Sequence, residues 1–313
     1  MSDISSAVIT GPTGVVGTSL ISELVESGVE VYAVCRPGTA RADRVPRHPF
    51  VHTVWCSLQE VSRLPELVDG HVDAFFHLAW DGTFGPARQD WTRQVNNVSH
   101  TLSAVYAAQE LGCSVFVGAG SQSEFGHVDG LLSPDLPCNP DNGYGASKLA
   151  ASVMSRALCL NLGIRHVWCR IVSLYGPLDS DHSLVMSCIR ELEETGHFAC
   201  TAGEQVWDYL YSEDAARALH LAALKGRPGA VYVIGSGETR RLREFITVIR
   251  DAVNPSATLG FGEVPYYPNQ VMHLEADIAT LTRDTGFTPA WSFEDGIAKT
   301  VNWYEREHLR KDR

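Results

Sequence analysis

One short segment near the start of the chain constrains the fold more than any other. The apolar run Ala7-Val8-Ile9-Thr10 leads straight into Gly11-Pro12-Thr13-Gly14-Val15-Val16-Gly17, and the amphipathic stretch Thr18 to Glu26 follows. A glycine-rich turn between a strand and a helix brings backbone against a phosphate. The first glycine permits the tight turn, the second lets main chain approach a pyrophosphate, and the third lets the helix pack on the strand. Amides at the helix N-terminus then meet the phosphate charge. Gly11, Thr13, Gly14, Val15, Val16 and Gly17 are therefore candidate cofactor-binding residues. The spacing is G-x-x-G-x-x-G rather than G-x-G-x-x-G, so the triplet draws its weight from the strand-turn-helix context.

The alternation continues. Apolar runs at Val29 to Cys35, Val51 to Val54, Ala74 to Ala79, Val115 to Val117 and His166 to Val172 alternate with periodic segments at Val61 to Val68, Trp91 to Leu111 and Tyr144 to Leu162. Strands separated by helices of this length imply βαβ units and a parallel sheet covered on both faces. After about residue 173 the pattern loosens, with helices expected at Leu184 to Thr195, Ser212 to Leu224, Leu242 to Val253 and Phe293 to Arg310, and a strand at Ala230 to Ile234. The expected architecture is α/β, a doubly wound Rossmann-type parallel sheet with a smaller, interwoven C-terminal substrate lobe. Residues 1–173 plus about 206–236 read as the dinucleotide-binding domain, and about 174–205 plus 237–313 as the lobe.

Composition narrows the partners. A formal net charge of −12 repels phosphate backbones and anionic membranes, and the basic residues are scattered. No run of about 18 uncharged apolar residues is present to span a bilayer. Neither nucleic acid nor membrane is an expected partner. Met1-Ser2-Asp3-Ile4 lacks a basic leader, so no signal peptide is expected. The eight cysteines show no C-x-x-C and sit mostly in apolar contexts. They read as reduced core thiols in a cytoplasmic protein rather than a disulfide framework or a metal site.

An NAD site would place Asp or Glu at the end of the second strand to hold the ribose 2′-hydroxyl. Here that strand ends Val34-Cys35-Arg36-Pro37, with Arg41 and Arg44 beyond. A guanidinium there suits a 2′-phosphate, which favours NADP over NAD. The plainer reading is a solvated loop arginine. Tyr144-Gly145-Ala146-Ser147-Lys148 sets a phenol and an ammonium on one helix face, an arrangement that favours phenolate and suits acid/base work. Val115 to Ser121 is an apolar strand that ends in glycines and serine, placing Ser121 at the carboxyl edge of the sheet, where open α/β sheets bind ligands.

Together these elements resemble an extended short-chain dehydrogenase/reductase of the NAD(P)-dependent sugar-nucleotide epimerase/dehydratase family, over essentially the whole length. The resemblance also rests on His77-Leu78-Ala79, Asn97-Val98-Ser99-His100-Thr101, Arg170 through Tyr175-Gly176-Pro177, Asp208-Tyr209 with Asp214, and Gly286-Phe287-Thr288-Pro289. It implies that Tyr144 is the acid/base, that Lys148 lowers its pKa and holds the nicotinamide ribose, and that Ser121 hydrogen-bonds the reacting oxygen. Further cofactor contacts are implied for Ser57, Leu58, Leu78, Ala79, Trp80, Asn97, Tyr144 and Lys148, and substrate contacts for Ser121, Gln122, Ser123, Ser173 and Trp207. A homodimer is implied through helices near Asn97 to Leu111 and Tyr144 to Leu162.

Departures from the family pattern narrow the reaction. Dehydratases carry Asp-Glu directly after the catalytic Ser/Thr, whereas Ser121 is followed by Gln122-Ser123, with Glu124 one position late. Epimerases retain NAD and usually carry the ribose-binding acid that Arg36 replaces. The stretches Gly118 to Gly126 and Gln205 to Tyr211 resemble NDP-4-keto-6-deoxyhexose reductases of the CDP-abequose synthase kind. The expected function is NADPH-dependent reduction of a 4-keto-6-deoxy sugar nucleotide with Tyr144 as proton donor. Alternatives are a sugar-nucleotide 4-epimerase and a reductase of a non-nucleotide carbonyl compound. Intact Tyr144 and Lys148 argue against a dinucleotide-binding module without activity. Where relatives have an arginine on the diphosphate this chain has Trp207, and Ser173-Leu174 replaces their Asn; Arg240, Arg241 and Arg243 are possible substitutes. His77 reads as a strand-end residue, His127 and His182 as loop residues, Trp303-Tyr304 as core, and Asp81, Thr83 and Trp91 as either substrate-reaching or plain surface.

Overall fold

Seven apolar runs form strands: β1 (Ser6–Thr10), β2 (Glu30–Cys35), β3 (Val51–Trp55), β4 (Ala74–His77), β5 (Val115–Ser121), β6 (Arg165–Ile171) and β7 (Ala230–Ile234). They pair into one parallel sheet in the order β7-β6-β5-β4-β1-β2-β3. The longer helices are α1 (Val15–Glu26), α2 (Trp91–Glu110), α3 (Gly143–Leu162), α4 (Leu184–Thr195), α5 (Ser212–Lys225), α6 (Leu242–Val253), α7 (Ala279–Thr285) and α8 (Phe293–Lys311). This computed structural model describes residues 4–268 and 270–311, with side chains described to residue 307.

The strands lack polar alternation because both faces of the sheet are covered. Ala7, Ile9 and Phe76 face Leu20, Ile21 and Leu24 of α1 and Leu219 of α5, while Val8, Phe75 and Phe116 face Ala104 and Val105 of α2 and Cys159 of α3. Each large side chain buried this way contributes about 1.5–3 kcal/mol. Strand order reverses at β1, which has β2 on one side and β4 on the other. That reversal opens a crevice at the carboxyl ends of β1 and β4, the place where such sheets bind ligands.

The stretch Val61 to Val68 departs from the expected helix. It folds as the 3-10 turn Leu58–Arg63 and the single helical turn Leu64–Leu67. Pro65 lacks the N–H that a continuous helix would bond to the Val61 carbonyl.

The lobe has its own core, in which Ile189 and Leu192 of α4, Phe245, Ile246 and Ile249 of α6, and Phe293 and Ile297 of α8 meet. Leu242, Phe245, Ile246 and Ile249 recur at helical spacing, so α6 turns one apolar face inward. Two residues from the stretch expected in the lobe pack elsewhere: Leu281 of α7 and Phe287 enter the core beneath the sheet, because α7 lies on α5. Asp208, wholly buried, staples the regions together by accepting from the Ser236, Gly237 and Ala276 amides. All eight cysteines are free thiols, seven of them buried. No described helix is long and apolar enough to cross a membrane.

Candidate active site

Between Thr10 and Thr18 the chain turns too tightly for side chains at Gly11 and Gly17. Gly11 has φ +75°, and a Cβ on Gly17 would stand 2.1 Å from the Gly11 carbonyl oxygen. At Gly14 the nearest atom to such a Cβ is 3.8 Å away. Helix α1 starts from Gly14 with no side-chain cap and no acidic residue in its first turn. Its leading amides therefore suit an anion, and the cradle fits the pyrophosphate of a dinucleotide.

A cleft of about 480 Å³ opens over this turn. Gly11, Gly14, Val15, Val16 and Gly17 line one end, and Leu78 and Trp80 follow from the end of β4. Ser121, Tyr144 and Lys148 form its centre, and Ser173, Asp179, Trp207 and Tyr209 its lobe side. A separate cavity of about 570 Å³ beside Arg44 and Lys299 contains none of the three central residues.

Local capping sets the central residues. The Asn142 side chain accepts from the Gly145 N–H at 2.9 Å and so starts α3 just ahead of Tyr144. Tyr144 and Lys148 lie one turn apart, both buried. Ser121 ends β5; it acts to lower the pKa of the Tyr144 phenol, and its hydroxyl accepts from the Ser123 N–H at 3.2 Å. The Ser121 N–H donates to Glu124 Oε1 at 2.9 Å. Glu124 also accepts from Trp168 Nε1 at 2.9 Å and from Arg170 Nε at 2.8 Å. This carboxylate, late by one position in the sequence, is locked in a buried ion pair and does not line the cleft.

Lys148 Nζ donates to the Ala119 carbonyl at 2.6 Å and lies 3.9 Å from the Trp80 ring, against 5.9 Å from that of Tyr144. Burial pulls its pKa down to about 7, with Glu124 opposing. Burial likewise pushes the Tyr144 phenol above its ordinary value, while Ser121 and then Arg88 act downward. The expected lowering of the phenol pKa by Lys148 is thus not what this arrangement gives. The ammonium is turned to Trp80 and Ala119, and Arg88 is the cation that acts on the phenol.

Several other expected contacts, Asn97, Gln122, Ser123 and Asp81 among them, lie away from the cleft. The Asn97 amide donates to the Asp81 carbonyl and its oxygen accepts from the Asp81 N–H, both at 2.9 Å, which fixes the loop after Trp80. Trp80 Nε1 in turn donates to Gln94 at 2.8 Å. Gln122 and Ser123 belong to the 3-10 turn Gln122–Glu124 instead of lining the cleft, and the Ser123 hydroxyl accepts from Arg88 at 2.6 Å. Arg36 is exposed immediately after β2, and Ser57, its hydroxyl donating to Glu60 at 3.0 Å, stands with Leu58 after a one-residue gap from the end of β3. Thr13 is half-buried in the turn, and the Ala79 N–H donates to Thr10 Oγ1 at 3.3 Å. His77 is bonded through its two ring nitrogens to Thr10 and Thr101, and burial pushes it down to about 3, so it stays neutral. Thr83 lines the cleft, whereas Asp81 pairs with Arg93 and Trp91 is exposed.

On the lobe side Trp207 Nε1 donates to Ser173 Oγ at 2.9 Å. Arg240 is paired with Glu294, and Arg241 and Arg243 with Glu204, so the three arginines considered for a diphosphate are held by carboxylates. Asp179 had no signal in the sequence beyond its place just after Tyr175-Gly176-Pro177. Its Oδ1 accepts from the Ser180 N–H at 2.7 Å, its Oδ2 is buried without a partner, and burial pushes the carboxyl up to about 6. The preceding Leu178 holds φ +68°, uncommon for a residue with a side chain.

Comparison with known proteins agrees with this geometry. The family model for the NAD dependent epimerase/dehydratase family matches residues 7–235. The dTDP-glucose 4,6-dehydratase of Salmonella typhimurium is 25% identical, covering 95% of this chain and 92% of the relative. The CDP-abequose synthase of Salmonella muenchen is 22% identical, covering 97% and 100%. A solved structure of RMD from Pseudomonas aeruginosa complexed with NADPH superposes with a TM-score of 0.82 at 23% identity, covering 97% of this chain and 99% of that one. DesIV, a dTDP-glucose 4,6-dehydratase from Streptomyces venezuelae with NAD and TYD bound, gives 0.83 at 23% identity, covering 97% and 98%. These structural likenesses show a shared fold.

Proposed function

The chain belongs to the NAD dependent epimerase/dehydratase family, and from that premise we propose that it is an NADPH-dependent reductase of a 4-keto-6-deoxy sugar nucleotide. The observation that carries the reading is the meeting of Ser121, Tyr144 and Lys148 in one cleft over the glycine turn, with the carboxylate nearest Ser121 locked beneath it. Dehydration needs an acid and a base presented to the sugar beside the catalytic serine, and Glu124 is presented to Arg170 instead.

A bound nicotinamide cofactor supplies the reducing equivalent. As the carbonyl is reduced, negative charge develops on its oxygen, which needs a hydrogen-bond donor and a proton source within about 3 Å. The Ser121 hydroxyl is the donor and Tyr144 delivers the proton. The phenol, its pKa raised further by burial, is protonated at neutral pH, the state a proton donor must hold. The Gly11 to Gly17 turn and the α1 amides hold the pyrophosphate, and Lys148 holds the ribose. Arg36, in the place where an NAD site carries an acid, meets the 2′-phosphate.

The relatives named for dTDP-glucose and CDP-abequose support a nucleotide-linked sugar as substrate. The pairing of Arg240, Arg241 and Arg243 with glutamates favours a second reading, a carbonyl substrate without a diphosphate. The proposal includes a homodimer: α2 and α3 pack together and expose Trp91, Val95, Tyr106, Val153, Met154 and Leu160. The test is purified protein given NADPH and a panel of 4-keto-6-deoxy sugar nucleotides, with oxidation followed by near-ultraviolet absorbance. Oxidation with at least one of them is expected. Absence of both NADPH binding and oxidation would overturn the proposal. Co-purified NAD with sugar interconversion and no net oxidation would indicate a 4-epimerase, and turnover of free carbonyl compounds only would favour the second reading.

A further inference from the structure

We propose that Arg88 is a positioning residue of the catalytic centre: stacked on Tyr144 and tied to Ser123, it is the fixed cation that stabilises negative charge on the phenol oxygen. The inference rests on the reading of Tyr144 as proton donor and adds a residue that neither the sequence motifs nor the family comparison assigns.

Arg88 lies in the 3-10 turn Gly85–Gln89, just ahead of α2. Its guanidinium carbon stands 4.4 Å from the centroid of the Tyr144 ring. Nη2 donates to Ser123 Oγ at 2.6 Å and Nη1 to the Thr83 carbonyl at 3.4 Å. Ser123 donates its N–H to the Ser121 hydroxyl, and Ser121, like Arg88, acts to lower the pKa of the phenol. The cation is therefore fixed at the ring face by a bond to Ser123, in the same turn that holds the Ser121 hydroxyl. The backbone is held equally closely: a Cβ on Gly143, the residue before Tyr144, would be 3.0 Å from the Arg88 carbonyl oxygen.

The groups packed around Tyr144 can be compared by charge. Trp80 meets it edge-on at 6.1 Å and carries none. Glu124 is negative but paired with Arg170. Lys148 is turned to Trp80 and Ala119, and burial brings its pKa to about 7, so near neutral pH it carries only part of a charge. Arg88 presents a guanidinium and stands closer to the ring, at 4.4 Å against 5.9 Å for Lys148. When Tyr144 gives its proton to the substrate oxygen, the negative charge passes to the phenol oxygen. A full cation over the ring favours that state. The two cations thus divide the labour: Lys148 faces the cofactor side, and Arg88 supports the phenol.

The test places 3,5-difluorotyrosine, which ionises near neutrality, at position 144 of the full chain and follows its phenolate by absorbance and fluorine NMR. Arg88→Met should raise the midpoint by about one unit, a tenfold change in the ionisation constant. Arg88→Lys should restore most of it. Arg88→Gln keeps a donor for Ser123 but lacks charge, so it should shift the midpoint as the methionine does. An unchanged midpoint in folded Arg88→Met or Arg88→Gln would overturn the proposal. The readout is the phenol itself, so absence of turnover would remove the reductase reading, whereas an unmoved midpoint would remove the role of Arg88.

Discussion

The two walls of the cleft are built on different principles. The sheet wall is fixed by backbone: a turn in which Gly17 has no room for a side chain, strands buried on both faces, and a helix whose first amides are left for a ligand. The lobe wall is made of side chains on short segments, with Trp207 spent on Ser173, arginines held by glutamates, and Asp179 carrying an unpartnered oxygen. A dinucleotide makes the same demand of every protein that holds it, and backbone answers that demand. What is private to this chain is concentrated on the other wall and in the charges around Tyr144.

The difference has measurable consequences. Tyr144→Phe removes the proton source while leaving the sheet wall intact, so turnover should fall by at least about a hundredfold with NADPH affinity unchanged. Steady-state rates and a fluorescence titration of NADPH check this; parallel losses in both would mean that catalysis and cofactor holding are not separable here. Gly17→Ala forces a methyl to 2.1 Å from the Gly11 oxygen, at a cost of about 3 kcal/mol in stability, the upper end for overpacking. Gly14→Ala, with 3.8 Å of room, should be tolerated. Equal effects of the two in urea denaturation would contradict a wall defined by close backbone approach.

On the lobe wall, Asp179→Asn should stabilise the protein. The folded carboxyl titrates at about 6, above its ordinary 3.8, so the folded chain holds this proton more tightly than the unfolded one. The carboxyl therefore has little cost below about 3.8, and its cost grows as pH rises from there to the folded value of about 6 and is constant above it. The asparagine should gain about 1–2 kcal/mol at neutral pH and lose that advantage toward pH 4; a pH-independent gain would exclude the buried charge as its cause. The smallest expected effect belongs to Trp207→Phe, which deletes the bond to Ser173 at a cost of about 1 kcal/mol. It should alter the KM for the carbonyl substrate and leave NADPH affinity unchanged.

These walls also differ in how far they could be read in the sequence. The turn from Thr10 to Gly17 and the pair Tyr144/Lys148 depend on neighbours within one or two turns of chain, so spacing exposes them. Arg88 meeting Tyr144, and Asp179 losing its solvent, depend on segments far apart in sequence, which no period encodes. Asn97 carried the right motif, but its amide is consumed by Asp81. Lys148 sits where spacing puts it, while its charge is set by burial that spacing does not report. Val61 to Val68 shows the converse: the apolar period was present, and Pro65 broke the helix.

The central claim is that this cleft reduces a carbonyl with an exchangeable nicotinamide cofactor. The most direct measurement supplies NADPH deuterated at the nicotinamide C4, in each of its two stereoisomers, with a 4-keto-6-deoxy sugar nucleotide, and weighs the product by mass spectrometry. The expected result is one deuterium at the sugar carbon from one of the two stereoisomers, with conversion greatly reduced in Tyr144→Phe. A sugar product formed without deuterium while the added NADPH stays unconsumed would contradict it, since the chain would then be oxidising and re-reducing its substrate on a retained cofactor.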